Sequence, residues 1–229
     1  MLLPPDNDSL NKNRRLALPP NIDAMEGLIR DQWKKVYKTD ILNACQEKPH
    51  PTLHRECLKV AGILLCRYLT DRNVFGLRIL EIMAGNCEAS KVIQGEIKAK
   101  YESWKYTDIG DYAKGCEQMD AICAVEKYGK EYNTLLMISP PPGSIDYLHV
   151  HSSYGDYFAC KKFIEMETGE QRYIIIIGEL GGSDASQGMY LYMMKHPSLI
   201  LEFRCTFLIA KDHQGGPVEK EVFVFSIWK

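Results

Sequence analysis

From residue 77 onward, short apolar runs alternate with stretches of helical spacing, and this alternation narrows the possible folds more than any other feature. The runs are LRILEIM (77–83), SWKYTDI (103–109), NTLLMIS (133–139) and RYIIIIGEL (172–180). Between them lie a helical CEASKVIQGEIKAKY (87–101) and a brief extended piece followed by a helix in GCEQMDAICAVEKYG (115–129). YGDYFACKKFIEME (154–167) and ASQGMYLYMMKH (185–196) are two more helices. Two last strands, LILEFRCTFLIA (199–210) and KEVFVFSIW (220–228), are joined by the polar, glycine-rich KDHQGGPVE. Strands as apolar as TLLMI and YIIIIG suit a sheet covered on both faces. Alternation of strand and helix predicts parallel pairing with right-handed crossovers, and the final strand pair predicts an antiparallel end.

The N-terminal third reads differently. Residues 1–20 hold two Pro-Pro pairs among Asn, Asp and Ser, the pattern of a flexible proline-rich tail. Residues 21–72 read as a helical extension. Leu28, Ile29, Trp33, Val36, Tyr37, Ile41 and Leu42 recur near the helical period, KPHP at 48–51 interrupts, and Thr52 caps a second helix over 52–70. The α/β domain then spans 73–229.

A net charge of −2 over 229 residues supplies no global field for nucleic acid or for an acidic substrate. The eight cysteines include no C-x-x-C pair, and several sit inside apolar patterns, as reduced thiols do in a cytoplasmic or nuclear protein. The first residues lack the apolar core of a secretory signal. No apolar run reaches the roughly 18 residues of a membrane span.

In an open α/β sheet the ligand lies beyond the carboxyl ends of the strands, so the residues there are the candidates. Glu81, Ala84, Gly85 and Asn86 follow the first strand, Asp108 and Ile109 the second, and Asp120 and Ala121 the short third. Ser139, Pro140 and Pro141 follow the fourth, and Glu179, Gly181 and Gly182 the fifth. A dinucleotide brings a pyrophosphate, which favours glycines and a free helix N-terminus over a nearby carboxylate. Three strand-end acids suit instead a cationic nucleoside without phosphate, and S-adenosylmethionine is such a ligand. Glu81 would take its ammonium directly or through water, Asp108 its ribose hydroxyls, and Asp120 its adenine amine. Gly85 would let the backbone approach closely.

On these residues the chain resembles the class I S-adenosylmethionine-dependent methyltransferases, over about residues 75–229. LEIMAGNCEAS stands at the first glycine motif, YTDI at the ribose acid, QMDAICAVEKYG at the adenine acid and LLMISPPPG after the fourth strand. The resemblance implies a Rossmann-like, mostly parallel sheet with an antiparallel last strand and helices on both faces. The family's first motif carries an acid and then three alternating glycines. Here Met83 and Cys87 replace two of them, and Gly85 remains. SPPPG is similar to the motif of enzymes that methylate amino nitrogens of bases or of glutamine, with Pro142 at the aromatic position. By that resemblance Ser139 and the carbonyls of Pro140 and Pro141 would position the acceptor, with Tyr147, Tyr154 or Tyr157 as a stacking surface. IIIIGELGGSDAS looks like a segment of little-characterised eukaryotic and viral relatives.

Each signal also has a plain structural explanation. Three prolines are a rigid stop to a strand, and Gly181–Gly182 a turn. His149 and His151, two apart in LHVH, lack a third ligand for zinc and read as loop residues. His50, His54 and Cys57 in HPTLHREC resemble a metal cluster only loosely. The basic face of Arg30, Lys34, Lys35 and Lys38 is a solvated helix surface or, as the lesser alternative, a nucleic-acid contact. Two function classes therefore stand side by side. One is a methyltransferase of unknown acceptor; the other is an interaction module on the same fold with a decayed pocket, for which Met83, Cys87 and Pro142 argue. A nicotinamide oxidoreductase fits less well, given Glu81 and the missing glycines.

Overall fold

The computed structural model describes residues 55–140, 155–178, 184–209 and 218–228. The tail, most of the helical extension with Thr52, and the candidates Pro141, His149, His151, Glu179, Gly181 and Gly182 lie outside them.

Among the described residues the chain forms α1 (Arg55–Asp71), β1 (Leu77–Glu81), α2 (Glu88–Glu96), β2 (Tyr101–Asp108), β3 (Glu117–Gln118) and α3 (Ala121–Tyr128). There follow β4 (Thr134–Ile138), α4 (Gly155–Glu165), β5 (Arg172–Gly178), α5 (Gln187–Lys195), β6 (Leu199–Ile209) and β7 (Val218–Ile227). All seven strands join one sheet in the order β3-β2-β1-β4-β5-β7-β6. The pairs from β3 to β5 are parallel, and β7 runs antiparallel to both β5 and β6. This is the Rossmann-like sheet that the alternation predicts, with β7 as its reversed strand.

The apolar runs work because a strand sends successive side chains to opposite faces. Leu80, Leu135, Ile174 and Ile176 enter a core with Ala124 of α3, Phe163 of α4 and Met189 of α5. Their neighbours Ile79, Leu136, Ile175 and Ile177 enter a second core with Leu65 and Leu69 of α1 and Ile93 of α2. Each such buried side chain contributes about 2 kcal/mol before the entropy of ordering is counted.

Two of the boundaries that differ from the sequence expectation bear on the site. The first strand ends at Glu81, before Met83, because Met83 turns left-handed at φ 58°. The helix expected to run to residue 101 stops at Glu96. Ile97 leaves helical geometry, and Tyr101 already pairs with Leu77 in the sheet.

Arg172 fastens the sheet's far end. It is 2% exposed, and its guanidinium donates to the carbonyls of Phe163 and Met166 and to that of Gly129. Those carbonyls sit at the ends of α4 and α3, where helices leave acceptors unsatisfied and carry partial negative charge.

Candidate functional site

The strand order turns back between β1 and β4, and a doubly wound sheet opens a crevice at such a point. The loop after β1 lies there. Its backbone is fastened by three hydrogen bonds: Ile82 N–H to Leu136 O (3.1 Å), Ala84 N–H to Thr107 O (3.1 Å) and Gly85 N–H to the Asp108 carboxylate (2.8 Å). Met83, Gly85 and Cys87 take φ values of 58°, 54° and 59°. Three alternate positions are thus left-handed, and only one of them is glycine. Each non-glycine residue in that region costs about 1 kcal/mol or more. The side chain of Met83 packs against the core that holds Leu80 and Ile82. A Cβ placed on Gly85 would meet no heavy atom within 4 Å, so the loop shows bare backbone to open space.

The acids gather at this edge, each with internal donors that the sequence does not reveal. Glu81 is 1% exposed; its oxygens accept from Ser90 Oγ (2.6 Å) and Trp104 Nε1 (2.8 Å). Burial pushes its carboxyl up to about 8, against the pull of those two hydrogen bonds, so it is mostly protonated at neutral pH. Asp108 accepts from the Gly85 and Gly110 N–H groups, at 2.8 and 2.9 Å. Its burial raises the carboxyl, and those backbone donors oppose the rise. A carboxylate holds about four lone-pair positions, so two such bonds leave acceptor capacity at Asp108.

Asp120 is the N-cap of α3, and its Oδ1 accepts from the Ile122 and Cys123 N–H groups at 2.9 Å. Met119 N–H donates to Asp108 O at 2.6 Å, which hangs the start of α3 on the end of β2. Ala121 opens that helix and is buried. Ile109 accepts a hydrogen bond from Gln118 Nε2 on its carbonyl (3.1 Å). The Asn86 side chain accepts from Glu88 N–H, and Ala84 and Asn86 are half-buried. The structure thus brings Glu81, Gly85, Asp108 and Asp120 to one edge.

Ser139 lies one strand over, at φ 46°, its N–H on Ile177 O at 2.7 Å. Its hydroxyl is buried and without a hydrogen-bond partner among the described residues. Buried hydroxyls are rarely left so. The Pro140 carbonyl accepts from Ala185 N–H at 2.6 Å.

Several residues near Ser139 escaped the sequence reading. A Cβ on Gly178 would stand 2.9 Å from Asp184 Oδ2 and 3.4 Å from Ser139 Cα, so the two residues crowd one glycine. Asp184 pairs with Lys220, which is 6% exposed. Asp156 is fully buried, accepts from the N–H of Ser186 at 2.6 Å, and is pushed up to about 6 by burial. The signals were faint: a lysine opening an apolar strand, and an aspartate in the first turn of α4.

No helix among the described residues is long and apolar enough to cross a membrane. Among the same residues no group of three or more His, Cys, Asp or Glu is placed to hold a metal ion.

No family model matches the chain, and no curated protein matches it. Solved structures do. One is magnesium protoporphyrin IX methyltransferase of Synechocystis PCC 6803, with S-adenosylmethionine bound, at 9% identity and a TM-score of 0.46, covering 90% of this chain and 94% of that one. Another is the plantazolicin methyltransferase BpumL in complex with S-adenosylhomocysteine, at 10% identity and a TM-score of 0.45, covering 89% and 100%. A third is the E. cuniculi Mtq2–Trm112 complex, responsible for methylating a translation termination factor, at 11% identity and a TM-score of 0.42, covering 80% and 99%. The likeness is one of chain course and carries no residue's role across.

Proposed function

We propose that this chain is an S-adenosylmethionine-dependent methyltransferase whose acceptor is an amino nitrogen, of a base or of a protein side chain. The observation that supports it best is the β1 loop. It holds three alternate left-handed residues, an open space over Gly85, and a backbone N–H bonded to Asp108. We assign to this edge a nucleoside with a ribose diol and no phosphate. Asp108 would accept from the diol with its remaining lone pairs. Gly85, Ala84 and Asn86 would lie along the methionine part, and Ile109, Asp120 and Ala121 around the base. Glu81, buried and mostly protonated, we assign to the floor of this site, where it holds Trp104 and Ser90.

The cofactor supplies an electrophilic methyl on sulfur. This chain's residues have only to bring the acceptor in line and exclude water, and orientation provides most of the acceleration in such a transfer. Ser139, whose buried hydroxyl has no hydrogen-bond partner among the described residues, is the group we assign to the acceptor, together with the Pro140 and Pro141 carbonyls.

The alternative is an interaction module on this fold. The observation in its favour is that the described acids already have internal donors, as does the Pro140 carbonyl in Ala185. Thermal-shift titration with S-adenosylhomocysteine, sinefungin and NAD separates the two. A ligand that binds the native state raises the melting temperature by mass action. We expect a rise with the first two, none with NAD, and none with any of them in Asp108→Ala. No rise at millimolar ligand in the wild-type chain would favour the module.

A further inference from the structure

The outer side of α1 is apolar where it meets solvent. Leu58, Ala61, Leu65 and Leu69 turn inward and are buried, at the three- and four-residue spacing of one helix side. The opposite side carries Val60 and Ile63, which are 46% and 48% exposed, with Leu64 half-buried beside them. Ile63 and Leu64 stand three and four residues on from Val60, so the three form one patch. Single exposed apolar side chains are ordinary on a protein surface, whereas a cluster on one helix side marks a contact surface. Arg67 completes that side and is exposed.

The chain enters α1 at Arg55 from residues 1–54, which lie outside the described ones. Their sequence holds a complementary stripe. Met25, Ile29, Trp33 and Val36 recur at spacings of four, four and three, which puts them on one side of a helix. Arg30, Lys34 and Lys38 recur every four residues on the other side, and Glu26 and Asp40 border the apolar stripe. An apolar stripe edged by acids suits a patch that includes Arg67, and the basic side does not. KPHP at 48–51 interrupts the helical spacing ahead of α1, so the sequence allows the chain to turn back there. Residues 37–54 reach about 60 Å when extended. The 17 residues of α1 span only about 26 Å, so the stripe can lie along it in either direction.

We propose that residues 25–36 dock as an amphipathic helix on the outer side of α1, with Ile29, Trp33 and Val36 over Val60, Ile63 and Leu64. A second copy of the chain is the rival occupant, and it has to compete from solution. A tethered segment is held at an effective concentration on the order of millimolar, about a thousandfold above micromolar protein. Docking by the apolar stripe turns Arg30, Lys34 and Lys38 to solvent. It is independent of what the strand-end edge binds.

The test puts a photoreactive side chain into the patch. The full-length chain carrying Ile63→p-benzoylphenylalanine is irradiated, and the products are mapped by mass spectrometry. The expected product is a cross-link to residues 25–36 at the mass of one chain, with a yield that does not change on dilution. Trp33→Glu should lower that yield roughly tenfold or more, because it removes the largest apolar group of the stripe. Met194→p-benzoylphenylalanine is the control, since Met194 is 45% exposed on α5, which packs on the sheet's other core. It should give no cross-link to residues 25–36. Cross-linking between two chains that grows with concentration would put a second copy on the patch and overturn the docking. No cross-link to residues 25–36, or equal cross-linking from positions 63 and 194, would overturn it as well. Val60→p-benzoylphenylalanine serves in place of the Ile63 variant if that one fails to fold. Hydrogen exchange gives a second reading: residues 25–36 should exchange more slowly in the wild-type chain than in Ile63→Glu, and equal rates would overturn the docking.

Discussion

The indole N–H of Trp104 donates to the Glu81 carboxylate at 2.8 Å, while Ser90 holds its other oxygen at 2.6 Å. A strand-end acid is thereby sealed into the wall between β1, β2 and α2. Its carboxyl, ordinarily near 4.5, is pushed up to about 8. The unfolded chain therefore releases this proton at lower pH than the folded one. Above about pH 4.5 ionisation favours the unfolded state, and stability falls by up to roughly 1.4 kcal/mol per pH unit until the folded group itself titrates. Asp156, pushed up to about 6, adds a similar fall at the acid end of the range. Urea denaturation across pH 5–8.5, a range set by these two values, should show the decline. Glu81→Gln should flatten its upper half, between about pH 6 and 8. A wild-type curve flat over that half would show that Glu81 is ionised in the fold.

Gly85→Ala should cost about 1–2 kcal/mol through backbone conformation alone, because φ is 54° and the added methyl meets no atom within 4 Å. Gly85→Asn should cost less, since asparagine tolerates the left-handed region. Equal losses in the two variants, measured by chemical denaturation, would point to a steric cause.

Ser139→Ala should leave stability within about 0.5 kcal/mol of wild type, since the hydroxyl has no hydrogen bond among the described residues to lose. It should also leave the S-adenosylhomocysteine shift unchanged, because Ser139 is assigned to the acceptor. A loss above about 1 kcal/mol would mean that the hydroxyl is bonded in solution.

Arg172→Met should destabilise the chain by roughly 3 kcal/mol or more. It strips charged donors from the Phe163, Met166 and Gly129 carbonyls, and each buried acceptor left bare costs about 1–3 kcal/mol. A change under 1 kcal/mol in calorimetry or urea titration would mean that water takes over those carbonyls.

The sheet was legible because strands buried on both faces write themselves as continuous apolar runs. Thr134–Ile138 and Ile174–Ile177 could hardly be anything else. Strand β2, beside the two-residue edge strand β3, was harder to bound, since its half-buried Tyr101 looks like the end of the preceding helix. At the site, residue types were legible and their partners were not. Nothing local in the sequence shows that Glu81 meets Trp104, or that Asp108 closes on Gly85, because those contacts join residues on different strands and loops. Arg172 and Lys220 were passed over for the same reason. A lone cation in an apolar strand gains meaning only when the carbonyls or the carboxylate it serves are known.

Met83 and Cys87 hold a contour that chains usually reserve for glycine. What fixes it is the set of outside fasteners, Leu136, Thr107 and Asp108, rather than the freedom of the residues themselves. Such a segment behaves like a bent spring held by clips. Any search tuned to the letters of a glycine run would pass over it, and the safer signature of the bend is the clips.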